Sequence, residues 1–478
     1  MIGRLARWLD DRLGASRFGR TTLNKVFPDH WSFMLGEVAL YCFVVLVLTG
    51  VFLTFFFNPS VREVVYHGRY KPLQGVRMSE AFRSTMKLSF DVRAGLVIRQ
   101  IHHWAALLFL VSLVAHLCRV FFTGAFRRPR ELNWIVGLTL LTLAMFNGFT
   151  GYSLPDDLLS GTGLRIAYSI VLSIPFVGTW AAFLLFGGEF PSTAIISRFL
   201  IMHIMLVPGA IFALLGAHLG ILWRQKHTQF PGRGRRDNNV VGPRLWPTYA
   251  AKSIALFFAV AAVLCALGGL VQINPVWLFG PFTPAAVSTA AQPDWYVGWL
   301  EGALRVGPAW RLHVFGHTIP EVFVPGAVLP GATFALLYAW PFLEQKFTGD
   351  RAEHHLLDRP RDRPVRTAIG IGVLTFYVVL LIAGGQDIIA QKLQVSIRPV
   401  LLGLRLALVG LPLAAALFTW KLCRDLAKAE PLAEAAEETE PPVALTGTRG
   451  ADRAGDSEEA EGAGVGAGAS SGHGQEPS

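Results

Sequence analysis

The sequence has few charged residues for its length. Asp, Glu, Lys and Arg make up 16% of the 478 residues, 52% are apolar, and the mean hydropathy is +0.44. Soluble domains carry about 25% charged residues. The chain therefore lacks the polar cover that a water-soluble protein of two or three domains needs. This composition indicates an integral membrane protein.

Cysteine is also scarce. The chain contains four cysteines, Cys42, Cys118, Cys265 and Cys423, each in or beside an apolar run. Because no CxxC pair occurs, we expect no zinc site of that type, and because no CxxCH occurs, we expect no covalently attached c-type haem. We expect all four to be buried, unreactive thiols.

The two ends of the chain are polar. The start lacks the apolar core of a signal peptide. Leu5, Trp8, Leu9 and Leu13 recur there at helical spacing opposite three arginines, which predicts an amphipathic helix. Such a helix would lie on the inner membrane surface or simply cap the membrane domain. Residues 428–478 contain 11 acidic and three basic residues with much Gly, Ala and Ser, which predicts a disordered tail.

Eight apolar stretches are long enough for the helix of about 20 residues that crosses a bilayer. We label them spans A to H, at residues 33–57, 96–122, 134–152, 196–223, 250–272, 322–343, 367–384 and 399–420. A further apolar stretch, 166–186, is interrupted by Pro175 and Gly178 and is interpreted as surface helices in a loop. With eight spans, most of the Lys and Arg residues in the loops fall on one side, which predicts that both termini are cytoplasmic.

Two of the spans each contain a widely spaced pair of histidines, and ionisable side chains inside a membrane are costly. His102 and His116 in span B are 14 residues apart, which returns to within about 40° of the same helix face. His203 and His218 in span D are 15 residues apart and about 60° out of phase. A helix irregularity at Pro208, which lies between them, would correct that offset.

The pairs are predicted to meet at two levels because spans B and D run in the same direction. His102 would face His203 near the outer surface, and His116 would face His218 near the inner surface. Two facing imidazoles are the axial ligands of one six-coordinate haem, whereas a zinc site would need further ligands. A single membrane histidine is compatible with an ordinary core residue, but two matched pairs favour two haems. His103 faces elsewhere and is not predicted to bind iron.

Glycines repeat the spacing in the two spans that lack these histidines. Gly36 and Gly50 in span A are 14 residues apart, as are Gly137 and Gly151 in span C. Glycine allows a flat macrocycle to approach a helix backbone closely, although either pair alone would also suit ordinary helix packing.

Two arginines lie beside the predicted ligands. Arg99 and Arg119 are each three residues from a ligand histidine, toward the membrane edge. They are candidates to pair with haem propionates, or they are charges that extend to the membrane surface.

Together these features resemble cytochrome b, the membrane core of the respiratory cytochrome bc complex, over about residues 21–427. The resemblance implies an all-α integral membrane protein of eight transmembrane helices, of which the first four form a di-haem four-helix bundle. It implies that the outer histidine pair ligates the low-potential haem and the inner pair the high-potential haem. The expected domains are a cytoplasmic amphipathic segment (1–32), the haem bundle (33–235), a C-terminal membrane domain (236–427) and the acidic cytoplasmic tail (428–478).

Two short segments resemble the elements that line the outer quinol-oxidation site in this family. The GYSLP sequence at 151–155 matches the family's GYxLP, and PDWY at 293–296 matches PEWY. The site residues implied by this match are Tyr152, Pro155, Pro293, Asp294, Trp295 and Tyr296. Asp294 is one methylene shorter than the usual glutamate. Glu301 is a candidate proton relay, or a solvated loop carboxylate.

Several further segments resemble cytochrome b of actinobacterial bcc complexes. They are HHWAAL at 102–107, TGAFRRPRE at 123–131, KHTQFPG at 226–232 and HTIP at 317–320. This resemblance implies menaquinol as the electron donor. It also implies a Rieske iron–sulfur subunit, a multihaem cytochrome c subunit, a haem-copper terminal oxidase and a homodimer of the complex in the cell membrane.

The start of span E departs from many relatives. They have a Lys–Asp pair whose aspartate serves the inner quinone site, and here the pair is Lys252 and Ser253. His227 and Lys252 are candidate groups of the inner site, or ordinary cytoplasmic loop charges.

The residue patterns alone are also compatible with two other functional classes. Histidines inside a membrane also occur in proton-coupled transporters. A di-haem anchor that passes electrons into the quinone pool would share the histidine pattern, although the loop between spans E and F exceeds what an anchor needs.

Overall fold

The computed structural model describes residues 2–286, 292–314 and 316–439, and helices dominate these ranges. Within them, eight helices are long and apolar enough to cross a membrane. They are spans A to H: Trp31–Thr54, Gly95–Phe122, Glu131–Tyr152, Ile195–Gln225, Leu245–Leu270, Val324–Thr348, Pro364–Gly384 and Ile397–Ala429. Each overlaps its predicted stretch. The prediction of a multi-pass, all-α membrane protein is confirmed.

Shorter elements connect the spans. The helices are Ile2–Leu13, Ala15–Leu23, Glu80–Phe90, Leu158–Leu172, Gly178–Phe186, Val276–Phe279, Trp295–Val306 and Gln386–Leu393. Two antiparallel hairpins pair Glu63–Val65 with Arg77–Ser79 and Leu312–Val314 with His317–Ile319. The apolar stretch 166–186 thus falls in two helices that are separated around Pro175, as its composition predicts.

The two ends of the described chain bear on the predicted N-terminal amphipathic helix and on the predicted start of the acidic tail. Leu5, Trp8 and Leu13 are exposed on helix Ile2–Leu13, which favours a membrane-surface helix over a cap. The last helix, Ile397–Thr439, continues past residue 428, where the sequence predicts the tail to begin. The rest of the predicted tail, residues 440–478, lies outside the described residues.

Span D contains an irregularity at the predicted place. Regular α-helix covers Ile195–Ile201 and Val207–Gln225, and the turn between them, Met202–Leu206, is π-helical. Pro208 has no N–H to bond to the preceding turn, and a π-turn accommodates one extra residue. Because the π-turn takes up one extra residue, the 15 residues from His203 to His218 rotate around the helix axis about as far as the 14 residues from His102 to His116 in span B.

The largest buried core is shared by five spans. Spans A to D contribute most of its residues, span E contributes Leu264, and Tyr296 joins from helix Trp295–Val306, which begins inside the PDWY sequence. At Gly268 of span E, a Cβ would lie 2.4 Å from the Ile101 side chain, so these helices approach closely only because residue 268 has no side chain. The expected boundary at 235/236 therefore does not coincide with a break in packing.

The cysteines differ in burial. Cys42 and Cys423 are buried and Cys118 is half-buried, but Cys265 is exposed. The expectation of burial is wrong for Cys265 because the outer face of a membrane helix meets lipid, which is itself apolar.

Candidate functional site

The two histidine pairs lie at two levels between spans B and D. The ring centroids of His102 and His203 are 6.1 Å apart, with the ring planes at 71°. His116 and His218 are close enough for their side chains to interact electrostatically. Two imidazoles that bind one metal from opposite sides, with metal–nitrogen distances of about 2 Å, have centroids about 6 Å apart. No group of three or more possible metal ligands occurs among the described residues, which favours a haem over a zinc site.

Hydrogen bonds fix the outer histidines in one tautomer. Thr49 Oγ1 donates to the Val45 carbonyl at 2.6 Å, so it accepts from Nδ1–H of His102 at 2.9 Å. Nδ1–H of His203 donates to the backbone carbonyl of Asn147 at 2.9 Å. Both rings therefore keep the lone pair of Nε2 available for a metal.

Each of the four glycines lies against the ring of one predicted ligand. Gly36 lies against His116, Gly50 against His102, Gly137 against His218 and Gly151 against His203. A Cβ at Gly151 would be 2.3 Å from Cε1 of its histidine, and at the other three positions the distance would be 3.3–3.4 Å. The glycines thus allow the imidazoles to lie close to the neighbouring helix backbone. The sequence spacing alone does not distinguish this role from that of making space for a macrocycle.

The two arginines beside the ligands have unsatisfied donors. Nε of Arg99 is buried without a partner among the described residues, while its Nη2 donates to the Asn274 carbonyl at 3.0 Å. Nε and Nη2 of Arg119 are likewise buried and unpartnered in the described chain, and its guanidinium lies 4.2 Å from the Phe33 ring centroid. Buried guanidinium donors without acceptors are costly, so these groups fit an anionic partner such as a propionate.

One cavity of about 380 Å³ joins the outer histidine pair to the predicted quinol-site residues. Its lining includes Gly50, Arg99, His102, His103, Gly151, Tyr152, Pro155, His203, Asn274, Asp294 and Tyr296. The fold therefore brings together residues of spans A to D with Asn274 and the PDWY sequence from the segment between spans E and F. A cavity of this size and mixed lining is typical of a small-molecule site.

Asp294 has a partner that the sequence did not reveal. Nε2–H of His103 donates to Asp294 Oδ1 at 3.0 Å, and the two side chains are 15% and 16% exposed. Helix periodicity predicts that His103 faces away from the ligand histidines, but it contains no information on which residue of the PDWY segment lies beside His103. The contact holds the shorter Asp294 carboxylate at the cavity wall.

Comparison with known proteins identifies the family. A family model described as "Cytochrome b(N-terminal)/b6/petB" matches residues 107–281. The cytochrome bc1 complex cytochrome b subunit of Mycobacterium tuberculosis is 54% identical over 432 residues, which are 90% of this chain and 78% of that protein. Its counterpart in Streptomyces coelicolor is 53% identical over 424 residues, covering 88% and 78%. The chain belongs to the cytochrome b family.

The fold agrees with this membership. A solved chain titled "Hyperthermophilic respiratory Complex III" superposes with a TM-score of 0.64 and 19% identity, covering 87% of this chain and 99% of that one. This cytochrome b is therefore a membrane subunit of a bc1-type complex, and the family implies b-type haem and quinol–cytochrome c oxidoreductase activity within that complex. The transporter and anchor hypotheses are set aside.

The two tyrosines of the cavity are buried in this cytochrome b. Tyr296 is 3% exposed. Burial and the neighbouring Asp294 charge raise the pKa of Tyr296 well above its usual value. The Tyr152 hydroxyl is buried with no partner among the described residues. The raised pKa keeps the phenol of Tyr296 protonated at pH 7.

Three other predicted outer-site residues lie away from the described cavity lining. Trp295 packs against the main core, and Pro293 is half-buried just before it. Glu301 lies on helix Trp295–Val306 and pairs with Arg305 at 2.5 Å, which also pairs with Asp387 at 2.8 Å. Burial raises the pKa of Glu301 although Arg305 opposes the shift. Glu301 is therefore not a solvated loop carboxylate.

The inner-site candidates lie in different surroundings. Nε2 of His227 is buried and unpartnered among the described residues, and its ring is 4.5 Å from that of Phe27. Burial and the charge of Lys25 lower the pKa of His227 to about 4, so its imidazole is neutral at pH 7. Lys252 Nζ pairs with both carboxylate oxygens of Asp29 at 2.8 Å, so its charge is already balanced.

The glycine distances generate a matched pair of variants. In Gly151→Ala the new methyl group would overlap the His203 ring, so we expect partial or complete loss of one haem. In Gly137→Ala the methyl group would meet His218 at an ordinary contact distance, so we expect both haems to remain. The haem content of each purified complex, measured as pyridine haemochrome, checks this. Equal haem loss in the two variants would contradict the asymmetry.

Proposed function

We propose that this cytochrome b oxidises a quinol in the outer cavity. One electron goes to a Rieske iron–sulfur partner, the other crosses the membrane to a quinone at the inner side, and the protons leave outside. The observation that carries the proposal is the single cavity that joins Tyr152, Asp294 and Tyr296 to the His102–His203 pair. The activity is that of a quinol–cytochrome c reductase, a proton-translocating enzyme that works only as part of its complex.

We assign one b-type haem to each histidine pair. His102 and His203 would hold the low-potential outer haem, and His116 and His218 the high-potential inner haem. The fixed outer tautomers and the unpartnered Nε of Arg99 support this assignment, as do the unpartnered donors of Arg119 at the inner level. When bound, the two haems supply one-electron transfer between the two sides of the membrane.

The protein's own groups handle the quinol protons. Asp294 accepts a proton from a quinol hydroxyl, because it is the carboxylate in the cavity wall and His103 holds it in place. Tyr296 and Tyr152 remain protonated and donate hydrogen bonds to the quinol oxygens. Glu301, seven residues beyond Asp294, is the candidate relay for the proton that Asp294 releases toward the outside.

The partners and the location follow from the resemblance to actinobacterial relatives. We propose menaquinol as the donor, and a Rieske subunit, a multihaem cytochrome c subunit and a haem-copper oxidase as partners of a dimeric complex. We place the chain in the plasma membrane with both termini cytoplasmic. The relatives from M. tuberculosis and S. coelicolor support this actinobacterial assignment.

Single histidine replacements test the haem assignment. We expect His203→Ala to lose the outer haem and His218→Ala to lose the inner haem, because each removes one axial ligand. His103→Ala is the matched control and should keep both. Reduced-minus-oxidised spectra with pyridine-haemochrome quantitation measure the result. A haem-replete His218→Ala complex, or loss of a haem in His103→Ala, would overturn the assignment.

Replacing the Asp294 carboxylate tests the outer site. Asp294→Asn should lower quinol–cytochrome c reductase turnover by about 100-fold or more, because general base catalysis contributes about that factor. The haem spectra should stay unchanged. Asp91→Asn is the control, since Asp91 pairs with Arg69 in the loop between spans A and B. Normal turnover in Asp294→Asn would exclude the carboxylate as the proton acceptor.

A further inference from the structure

A carboxylate near the start of span A is surrounded by hydroxyl groups. Glu37 Oε2 accepts hydrogen bonds from Ser253 Oγ at 2.7 Å and from the Tyr41 hydroxyl at 3.2 Å. Glu37 Oε1 accepts from the Tyr249 hydroxyl at 2.5 Å. All three partners are neutral. Because a carboxylate inside a membrane span is costly, a carboxylate held only by neutral donors is a candidate functional group.

Glu37 lies at the level of the inner histidines. Gly36, its neighbour in the chain, lies against the ring of His116. Phe33, one helical turn earlier, lies under the guanidinium of Arg119. Glu37 and Ser253 are only half-buried, so part of the cluster is accessible. The carboxylate is therefore close to the proposed inner haem and near the cytoplasmic end of the span.

Glu37 contacts Ser253, the residue at which the start of span E differs from the Lys–Asp pair of many relatives. Position 253 is where many relatives have an aspartate, and here its side chain donates to Glu37 instead. An aspartate at 253 would bring a second carboxylate to about 3 Å from Glu37, and two carboxylates at that distance resist joint ionisation. In this chain the carboxylate of the cluster comes from span A, and span E contributes the Ser253 hydroxyl.

We propose that Glu37 is the proton-donating carboxylate of the inner quinone site, an inference that rests on the proposed function. Reduction of the quinone to quinol forms two O–H bonds and requires two electrons and two protons. The electrons come one at a time from successive quinol oxidations at the outer site. In its protonated form Glu37 passes one proton to a quinone oxygen. The carboxylate that remains takes a proton from the Ser253 hydroxyl, which is resupplied from the cytoplasm through the Tyr41 hydroxyl, 2.5 Å away. The second proton comes from the aqueous phase.

A pulse of menaquinol, substoichiometric to the complex, separates the two sites in time. The b haems are first reduced through the outer site and are then reoxidised by quinone at the inner site. Glu37→Gln should slow the reoxidation phase by about 100-fold and leave the reduction phase and the haem spectra unchanged. Glu131→Gln, which removes a carboxylate at the start of span C on the same side, should leave both phases unchanged.

Rescue by a second substitution distinguishes a proton donor from a merely structural residue. The double variant Glu37→Gln with Ser253→Asp should recover most of the reoxidation rate, because it returns a carboxylate to the same place. Ser253→Asp alone should slow reoxidation, because it places two carboxylates side by side. Equilibrium binding of menadione to the oxidised complex adds a readout without turnover, and Glu37→Gln should weaken its inner-site binding by about tenfold.

The outcomes separate this inference from the function on which it rests. Normal reoxidation in Glu37→Gln, or no recovery in the double variant, would overturn the role of Glu37. Failure of the unmodified complex to show the initial haem reduction would instead contradict the proposed quinol oxidation at the outer site.

Discussion

Imidazole rings from two parallel membrane helices meet in pairs at two levels, and much of the surrounding structure serves this arrangement. The π-turn in span D corrects the phase of His203 and His218. Glycines in spans A and C let the rings approach neighbouring backbone, most closely at Gly151. Thr49 and Asn147 fix the outer tautomers. Four spans are thus tied to one set of ring positions, which explains how histidines can be accommodated inside a membrane.

The proposed proton-transfer groups lie where the four spans around the histidine pairs contact segments from elsewhere in the chain. The PDWY segment, between spans E and F, brings Asp294 to His103 of span B, almost 200 residues earlier in the sequence. At the inner level, Glu37 of span A meets Ser253 of span E. At both levels a carboxylate lies near a histidine pair. This arrangement suits one site that releases protons at the outer level and a second site that takes up protons at the inner level.

The sequence predicts the frame better than it predicts the contacts. Hydropathy places all eight spans, and histidine spacing places the pairs at matching levels, because both patterns are local to a helix. The partners of Asp294 and Glu37 depend on how distant segments return to the bundle, which no periodicity records. Lys252 shows the same limit: the sequence leaves it as either an inner-site group or an ordinary loop charge, and the structure pairs it with Asp29. Trp295 is similar, since the family resemblance implies it as a site residue and the structure packs it against the main core, outside the described cavity lining.

The central claim is that four histidines hold two haems in one polypeptide. Its most direct test is the b-haem stoichiometry of the purified chain, from a dithionite-reduced minus oxidised spectrum combined with pyridine-haemochrome quantitation. The account predicts two non-covalently bound b-type haems per polypeptide. One haem per polypeptide, or none, would contradict it.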